Sequence, residues 1–198
     1  MATLLYIKSS IFGDNGNSSK LANNFIEQWQ VKHPQGEVVV RDLIAEELPH
    51  MDGTVVTALR GDAAEHADAH RAILSLSDEL VAELKAADEV VIGVPLYNFN
   101  IPSQMKSYFD LLARAGVTFS YTENGPVGLI GDKPVYLITT RGGLYRDSGN
   151  DFQIPFVKQF LSFIGLNSVE VIYAEGLAMG DFAEKALVAA NQQIAAIH

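Results

Sequence analysis

The sequence predicts an α/β protein with a mostly parallel sheet that is covered by helices on both faces. Apolar runs rich in β-branched residues alternate with segments of helical periodicity, and the runs are too continuous for strands with one solvated side. No internal repeat, low-complexity tract or linker divides the chain, so we expect one domain over residues 1–198. The predicted strands are Thr3–Ile7, Glu37–Arg41, Glu89–Val94, Pro134–Thr139 and Val169–Ala174.

Helical periodicity fills the intervals between these strands. Leu21, Phe25 and Trp29 recur at a spacing of four, which predicts a helix that begins near Asn17 or Ser18 and buries Trp29. Similar stripes predict helices over Ile73–Leu84, Met105–Leu112, Phe156–Ile164 and Leu187–Ile197.

Two stretches fall outside this alternation. The segment Asp42–Asp68 is long and contains Pro49 and Gly53, which predicts an irregular connection of the kind that often has a function or packs against a partner. The segment Val117–Tyr121 alternates in polarity before a turn at Thr122–Pro126, which predicts a short hairpin or an extended arm beside the sheet.

Composition argues against several classes of function. The formal net charge of −10 disfavours nucleic acid and anionic membranes as partners. The chain contains no cysteine, which excludes thiolate nucleophiles and cysteine-ligated zinc or iron–sulfur clusters. The run Thr3–Ile7 follows no basic region, so it indicates a strand and not a signal peptide, and we expect a cytoplasmic protein.

Metal and hydrolase chemistry have no support among the motifs. The histidines are scattered, and although His66 and His70 are four residues apart, no His-Glu-x-x-His motif accompanies them. The Gly-x-Ser-x-Gly motif of a hydrolase nucleophile is also missing. We therefore expect no bound metal.

The loop after the first predicted strand suits a phosphate. Residues 8–19 are rich in glycine, asparagine and serine, and they lead into a helix whose N-terminus offers free N–H groups and a positive dipole end. Ser10, Asn17 and Ser18 would add neutral donors, although an ordinary helix N-cap explains the same residues. The loop contains neither the Gly-Lys-Ser/Thr of a Walker motif nor Gly-x-Gly-x-x-Gly.

The loop after the third predicted strand suits a flat ligand. Pro95 and Pro102 stiffen the backbone, while Tyr97 and Phe99 offer aromatic surface on either side of Asn98. Asn98 can both donate and accept hydrogen bonds. An ordinary loop that leads into a helix is the alternative interpretation.

The fourth predicted strand ends in Thr140-Arg141-Gly142-Gly143. Two adjacent glycines allow positive φ angles and a close approach of the backbone to a ligand, although a tight turn gives the same pattern. The sheet order that places the first, third and fourth strands centrally is the flavodoxin-like order 2-1-3-4-5. This arrangement gives one phosphate loop and two loops beside a planar ring, and the sequence has no acidic motif that would bind a ribose. It therefore fits flavin mononucleotide (FMN) better than a dinucleotide.

Several longer motifs resemble those of a known family. They are Pro95–Pro102, Phe109–Phe119, Tyr121–Pro126 and Thr140–Gly143. Over almost its full length the chain resembles the FMN-dependent NADH-azoreductase family, a branch of the flavodoxin-like quinone reductases. The family's cofactor-binding positions fall here on Ser10, Gly16, Asn17, Ser18, Leu96, Tyr97, Asn98, Phe99, Thr140, Arg141, Gly142 and Gly143.

Three of these positions depart from the residues common in the family. Leu96 stands where methionine is frequent, which keeps the size and apolarity of the side chain. Gly16 and Thr140 stand where serine is frequent. Gly16 removes a hydroxyl from the phosphate loop, so its backbone N–H would have to serve instead.

The resemblance implies a homodimer that binds FMN near the subunit interface. NADH or NADPH would reduce the flavin by hydride transfer, and a quinone or azo compound would then be reduced in the same place. The chemistry lies on the FMN, with no catalytic side chain. We expect Arg60, Tyr121 and Phe163 in the substrate pocket, with Tyr121 or Phe163 reaching it across the dimer, although a solvated arginine and packed aromatic rings are ordinary alternatives.

Two other functions remain open from the sequence. A flavodoxin-type electron carrier would bind FMN without its own substrate turnover, but the extra lengths at Asp42–Asp68 and Gly116–Leu129 favour a walled slot over an exposed flavin edge. A flavin-free interaction module is the third alternative.

Overall fold

The computed structural model describes residues 1–60 and 67–198. Its strands are β1 (Thr3–Lys8), β2 (Glu37–Asp42), β3 (Glu89–Pro95), β4 (Phe119–Thr122), β5 (Gly125–Gly128), β6 (Val135–Thr140) and β7 (Val169–Ala174). Five of them form a parallel sheet in the order β2-β1-β3-β6-β7. Each predicted strand agrees with a sheet strand to within one residue at either end.

The predicted numbering 2-1-3-4-5 is not matched, because a hairpin comes between the third and fourth strands of the sheet. Strands β4 and β5 pair antiparallel with each other and form no part of the central sheet. Within the hairpin the Thr122 hydroxyl donates to the Gly125 carbonyl at 2.7 Å. The predicted arm therefore exists, and the two strands that follow it become β6 and β7.

The helices are α1 (Asn17–Lys32), α2 (Gly53–Arg60), α3 (Asp68–Ala86), α4 (Ser103–Leu112), α5 (Gln153–Ile164) and α6 (Phe182–Ile197). One core cluster packs α2, α3, α4 and α5 against one face of the sheet, and a second packs α1 and α6 against the other. Adjacent residues of the central strands alternate between these clusters, since Leu4 and Tyr6 lie in one and Leu5 and Ile7 in the other. Both faces of the sheet are therefore covered.

Trp29 confirms the predicted orientation of the first helix. Its side chain is fully buried in the core between α1 and the sheet, and its indole N–H donates to Glu89 Oε1 at 2.9 Å. A buried indole needs such a partner for its one polar group.

Helix α2 lies in the segment that was predicted to be irregular, so that expectation was wrong for residues 53–60. Val55 and Ala58 are buried against the core, and Asp52 Oδ1 accepts the backbone N–H of Val55 at 2.9 Å. Glycine, threonine and valine have low helix propensities, so this helix depends on tertiary packing. Residues 61–66, which include His66, lie outside the described part of the chain.

No helix within residues 1–60 and 67–198 combines the length and the apolar character needed to span a membrane. The carboxyl ends of β1, β3 and β6 lie together at one edge of the sheet, because the strands are parallel and in register: Ile7 pairs with Ile92, and Pro95 with Thr140. The loops that follow these strands are therefore neighbours.

Candidate functional site

A cavity of about 220 Å³ opens at this edge of the sheet. The loops after β1, β3 and β6 all contribute to its wall, so three stretches that are about 85 and 45 residues apart in the chain meet at one place. Its lining residues are Ser10, Phe12, Gly16, Asn17, Ser18, Pro95, Leu96, Tyr97, Thr140, Arg141, Gly142, Leu177 and Ala178.

The N-terminus of α1 forms one side of this cavity. No described residue accepts a hydrogen bond from the backbone N–H groups of Asn17, Ser18 or Ser19, and no side chain caps the helix. The hydroxyl of Ser10 lies close over Gly16, since a Cβ atom built on Gly16 would stand 2.0 Å from Ser10 Oγ. The free N–H groups and the helix dipole favour an anion at this end of the cavity.

Lys8 fixes the loop that leads to this helix. Its ammonium group is mostly buried and pairs with Asp14 at 2.8 Å and with Asp42 at 2.9 Å. Burial alone would lower the pKa of Lys8, but its hydrogen bonds to the two carboxylates outweigh burial and raise the pKa. Burial would raise the pKa of Asp42, yet the hydrogen bonds from Lys8 and from the Ile44 N–H hold it below its ordinary value.

The loop after β3 contains a two-residue turn at Asn98 and Phe99. Tyr97 and Asn100 exchange two backbone hydrogen bonds across it, at 3.0 and 3.1 Å. Asn98 and Phe99 both have positive φ angles, 48° and 68°, as a type I′ turn requires. Their N–H groups have no partner among the described residues, and the Phe99 ring is 63% exposed. The turn therefore presents two donors and an aromatic ring to an incoming ligand.

The glycines after β6 do not adopt a positive φ angle. Neither Gly142 nor Gly143 has a positive φ, so that part of the sequence interpretation was wrong. A Cβ atom on Gly142 would lie 3.4 Å from Ala178 Cβ, and one on Gly143 would lie 3.1 Å from the Tyr145 ring. Their carbonyl groups accept hydrogen bonds from residues 176 and 178, while their N–H groups have no described partner.

Arg141 lines the cavity, but its guanidinium group is directed into the protein. The side chain is fully buried and pairs with Asp151 at 2.8 Å and with Glu175 at 3.3 Å. It also lies over the Tyr173 ring, 5.2 Å from the centroid. The two carboxylates satisfy its charge, so the guanidinium group holds the loop together and is not a free phosphate ligand.

Three lining residues were missed at the sequence level, Phe12, Leu177 and Ala178, and Pro95, predicted only to stiffen its loop, also lines the cavity. Leu177 and Ala178 follow β7, whose carboxyl end lies beside that of β6 because Thr140 pairs with Ala174. The loop after β7 could therefore have been predicted by the rule used for the other loops, that parallel strands end at a common edge of the sheet. Phe12 is a lone exposed aromatic residue in a polar loop, and its ring contacts Tyr97 edge to face at 6.4 Å.

The residues that were predicted for the substrate pocket lie outside this first cavity. Arg60 and Tyr121 line a second cavity of about 570 Å³, together with residues of α2 and the segment 113–119. Phe163 does not line it, but its ring packs on Phe119 at 4.2 Å, and Phe119 in turn contacts Tyr121 at 5.4 Å. Among residues 1–60 and 67–198, none lines both cavities, and the two predicted sets of residues lie apart within one chain.

The residues of the first cavity fit FMN. The α1 N-terminus and the hydroxyls of Ser10 and Ser18 match a phosphate, with no free cationic side chain required. Gly142 lines the cavity, whereas Asn98, Phe99 and Gly143 lie in the same loops but outside its lining. The N–H groups of these four residues have no partner among the described residues and match the heteroatoms of an isoalloxazine ring. No group of three metal-ligating side chains occurs within residues 1–60 and 67–198.

Comparisons with known proteins agree with this geometry. A family model described as having a flavodoxin-like fold matches residues 2–197. The chain is 54% identical over 194 residues to a protein of Cellvibrio japonicus (strain Ueda107) named FMN-dependent NADH:quinone oxidoreductase, covering 98% of this chain and 97% of the relative.

Two solved structures are similar over nearly the whole chain. An azoreductase from Bacillus anthracis str. Sterne gives a TM-score of 0.90 at 31% identity and covers 100% of this chain and 98% of that one. An FMN-dependent NADH-azoreductase from Bacillus anthracis str. Ames Ancestor, solved in complex with FMN, gives a TM-score of 0.86 at 25% identity and covers 100% and 99%. These similarities confirm the resemblance that the sequence motifs predicted: the chain belongs to the flavodoxin-like family of FMN-dependent NADH:quinone oxidoreductases and azoreductases.

Proposed function

We propose that this protein is an FMN-dependent enzyme that oxidises NADH and reduces quinones and azo compounds by two electrons. The convergence of the loops after β1, β3 and β6 on one cavity carries the proposal, because it combines a phosphate-binding helix terminus with donors suited to a flavin ring. The relative from Cellvibrio japonicus is named for the quinone reaction, and the similar solved structures are named azoreductases.

The residues of the chain bind and orient the cofactor. The first turn of α1, with Ser10 and Ser18, holds the phosphate. The turn at Asn98 and Phe99 offers its N–H groups to one edge of the ring, and Gly142 and Gly143 offer theirs to another edge. Donors that are fixed before the reaction stabilise the negative charge that reduction places on the ring, without rearrangement.

When bound, FMN would supply the redox chemistry, a two-electron transfer from NADH to the quinone or azo compound. No protein general acid is required, and the protons come from water. The exposed ring of Phe99 and the ring of Tyr97 provide flat surfaces beside which a planar substrate can stack.

We further propose a homodimer whose active site combines both subunits. Within one chain, Arg60 and Tyr121 lie at a separate cavity from the cofactor loops. Tyr121 is 75% exposed, which is unusual for a large aromatic side chain and is typical of residues that become buried at an interface. A second copy would bring Arg60, Tyr121 and Phe163 of one subunit over the cofactor cavity of the other.

The chain forms one domain over residues 1–198 under this proposal, which is supported by the unbroken match of the family model from residue 2 to 197. A cytoplasmic location follows from the proposed substrate, because NADH is kept inside cells. The electron-carrier alternative is not favoured, because the relatives are named as enzymes.

Steady-state turnover tests the proposal. We expect oxidation of NADH in the presence of FMN with both quinones and azo compounds, and parallel double-reciprocal lines when the two substrates are varied. Intersecting lines would rule out the two-step exchange. A protein that carries FMN but gives no turnover with any acceptor would support the electron carrier, and a colourless protein that fails to bind added FMN would support the flavin-free module.

A further inference from the structure

Gln153 joins two of the loops that form the cofactor cavity, although it does not line the cavity itself. It is the first residue of α5, and its side chain is completely buried. Its amide nitrogen donates to the Pro95 carbonyl at 2.8 Å and to the Asn100 carbonyl at 3.3 Å. These two carbonyls lie on either side of the Asn98–Phe99 turn.

The orientation of this amide is fixed by the other loop. Gln153 Oε1 accepts hydrogen bonds from the Thr139 hydroxyl at 3.0 Å and from Arg141 Nη2 at 3.4 Å. Because the Arg141 guanidinium can only donate and the Pro95 and Asn100 carbonyls can only accept, the oxygen of the amide must face Arg141 and the NH₂ group must face the carbonyls. The ion pairs of Arg141 with Asp151 and Glu175 hold the guanidinium group in place.

The turn that Gln153 spans is strained. A left-handed conformation is unfavourable for an ordinary residue, and Phe99 adopts it with φ 68°. The favoured sequence for a type I′ turn is Asn-Gly, so Phe99 occupies the position where glycine would relieve the strain. Such a conformation persists only where the surroundings over-determine it.

We propose that Gln153 is a positioning residue that holds the Asn98–Phe99 turn in the conformation that receives the flavin ring. It ties both sides of the turn to the loop after β6, so the donors of the two loops keep a fixed separation. The part of this inference that concerns the ring depends on the proposed function, whereas the part that concerns the turn does not.

The Gln153→Glu substitution tests the first part, because it removes the donating NH₂ group and keeps the size and the accepting oxygen. Gln159→Glu is the matched control, since Gln159 is exposed on the same helix. Hydrogen exchange of the full-length chain, stripped of flavin, is the measurement. We expect the amides of Tyr97 and Asn100 to exchange about tenfold faster in Gln153→Glu, as the loss of two hydrogen bonds predicts, and unchanged exchange in Gln159→Glu.

Binding of FMN and of riboflavin tests the second part. Gln153→Glu should raise both dissociation constants by the same factor, about tenfold, because riboflavin has the ring but lacks the phosphate. The visible absorption bands of bound FMN should also shift. If the dissociation constant rose for FMN and not for riboflavin, the substitution would act at the phosphate, and the proposal would be overturned.

A comparison of Gln153→Glu with and without Phe99→Gly distinguishes an effect on the strained turn from a general effect on the stability of the fold. In the Phe99→Gly background the turn should form without help, so Gln153→Glu should accelerate exchange of Tyr97 and Asn100 less than twofold. An equal acceleration in both backgrounds would show that Gln153 does not act on the strained turn and would overturn the proposal.

Two further outcomes complete the test. Gln153→Met removes the amide without adding charge, and unchanged exchange in both folded variants would overturn the proposal. If neither variant folds, the test is made on the wild-type protein by NMR. The side-chain NH₂ protons of Gln153 should then be protected from exchange with solvent, and fast exchange would overturn the proposal. If wild-type protein binds no flavin, the proposed function fails while the exchange measurements still judge the turn.

Discussion

Phe99 adopts a backbone conformation that its own side chain disfavours. The sequence indicated a stiff aromatic loop between Pro95 and Pro102, but the positive φ angle of Phe99 arises from hydrogen bonds between Tyr97 and Asn100 and from the buried Gln153. A residue in such a conformation costs stability, and Phe99 adopts it with an exposed ring and an N–H group that has no described partner.

A comparison of two substitutions measures this cost. Both Phe99→Gly and Phe99→Ala remove the ring, but only glycine tolerates the left-handed conformation. We expect Phe99→Gly to be more stable to urea than Phe99→Ala by about 1 kcal/mol, the reverse of the usual order at an ordinary position. Both variants should bind FMN more weakly than the wild type. A less stable glycine variant would contradict the strained turn.

Lys8 is the other residue whose role depends on contacts that are distant in the chain. Lys8→Met leaves Asp42 without its ammonium partner, and we expect a loss of about 1–2 kcal/mol in the free energy of unfolding, less than for a fully buried pair because Asp14 is largely exposed. Lys20→Met is the control, since Lys20 is exposed on α1 and the change in charge is the same.

The same variant should change the pH dependence of stability. The pKa of Asp42 is lowered in the folded protein, so its contribution is present above the ordinary pKa of a carboxyl group and is lost as the pH falls through the folded value. Urea unfolding between neutral and acid pH should therefore show a smaller acid-side loss of stability in Lys8→Met than in Lys20→Met. Equal losses would mean that Lys8 does not shift Asp42.

At the scale of elements, the N-terminus of α1 is the part that the sequence predicted best. The helix begins at Asn17, as the spacing of Leu21, Phe25 and Trp29 indicated. Local signals were sufficient there because the periodicity and the polar loop agree. Helix α2 was missed because its stability comes from burying Val55 and Ala58 against neighbours that the local sequence does not specify.

The isosteric change Asn17→Asp tests the anion site at this helix terminus. A carboxylate in the first turn should leave the free protein as stable as before or more stable by about 0.3–1 kcal/mol. It should weaken FMN binding at least tenfold through repulsion of the phosphate, while riboflavin binding changes little. Asn23→Asp, the same change at an exposed position further along α1, is the control. Equal effects on FMN and riboflavin would place the phosphate elsewhere.

At the scale of the whole molecule, the separation of the two cavities is the main finding. The sequence predicted Arg60, Tyr121 and Phe163 in the substrate pocket, with Tyr121 or Phe163 contributed across a dimer, and the structure of one chain places Arg60 and Tyr121 at a second cavity. The predicted dimer reconciles the two, because a two-fold axis would bring unlike patches of two copies together.

Subunit mixing tests this arrangement. With FMN kept low enough that the weakened site of an Asn17→Asp chain stays largely empty, that chain would lack cofactor, and a Tyr121→Ala chain would lack the aromatic contribution to the other subunit's site. Each variant alone should be nearly inactive, but chains that are mixed and allowed to pair at random should recover about one quarter of the wild-type turnover, because each mixed dimer contains one intact site. No recovery, despite mixed dimers detected by mass spectrometry, would show that each site belongs to a single chain.

The sequence by itself determined the α/β class, the strands, the start of α1 and the loops that meet at the first cavity. Those features follow from local periodicity and from the rule that parallel strands end at a common edge. Only the tertiary structure decided the left-handed turn at Asn98 and Phe99, the burial of Arg141 between Asp151 and Glu175, and the amide of Gln153 that joins two loops. These depend on hydrogen bonds and ion pairs between residues distant in sequence, whose partners no local pattern specifies.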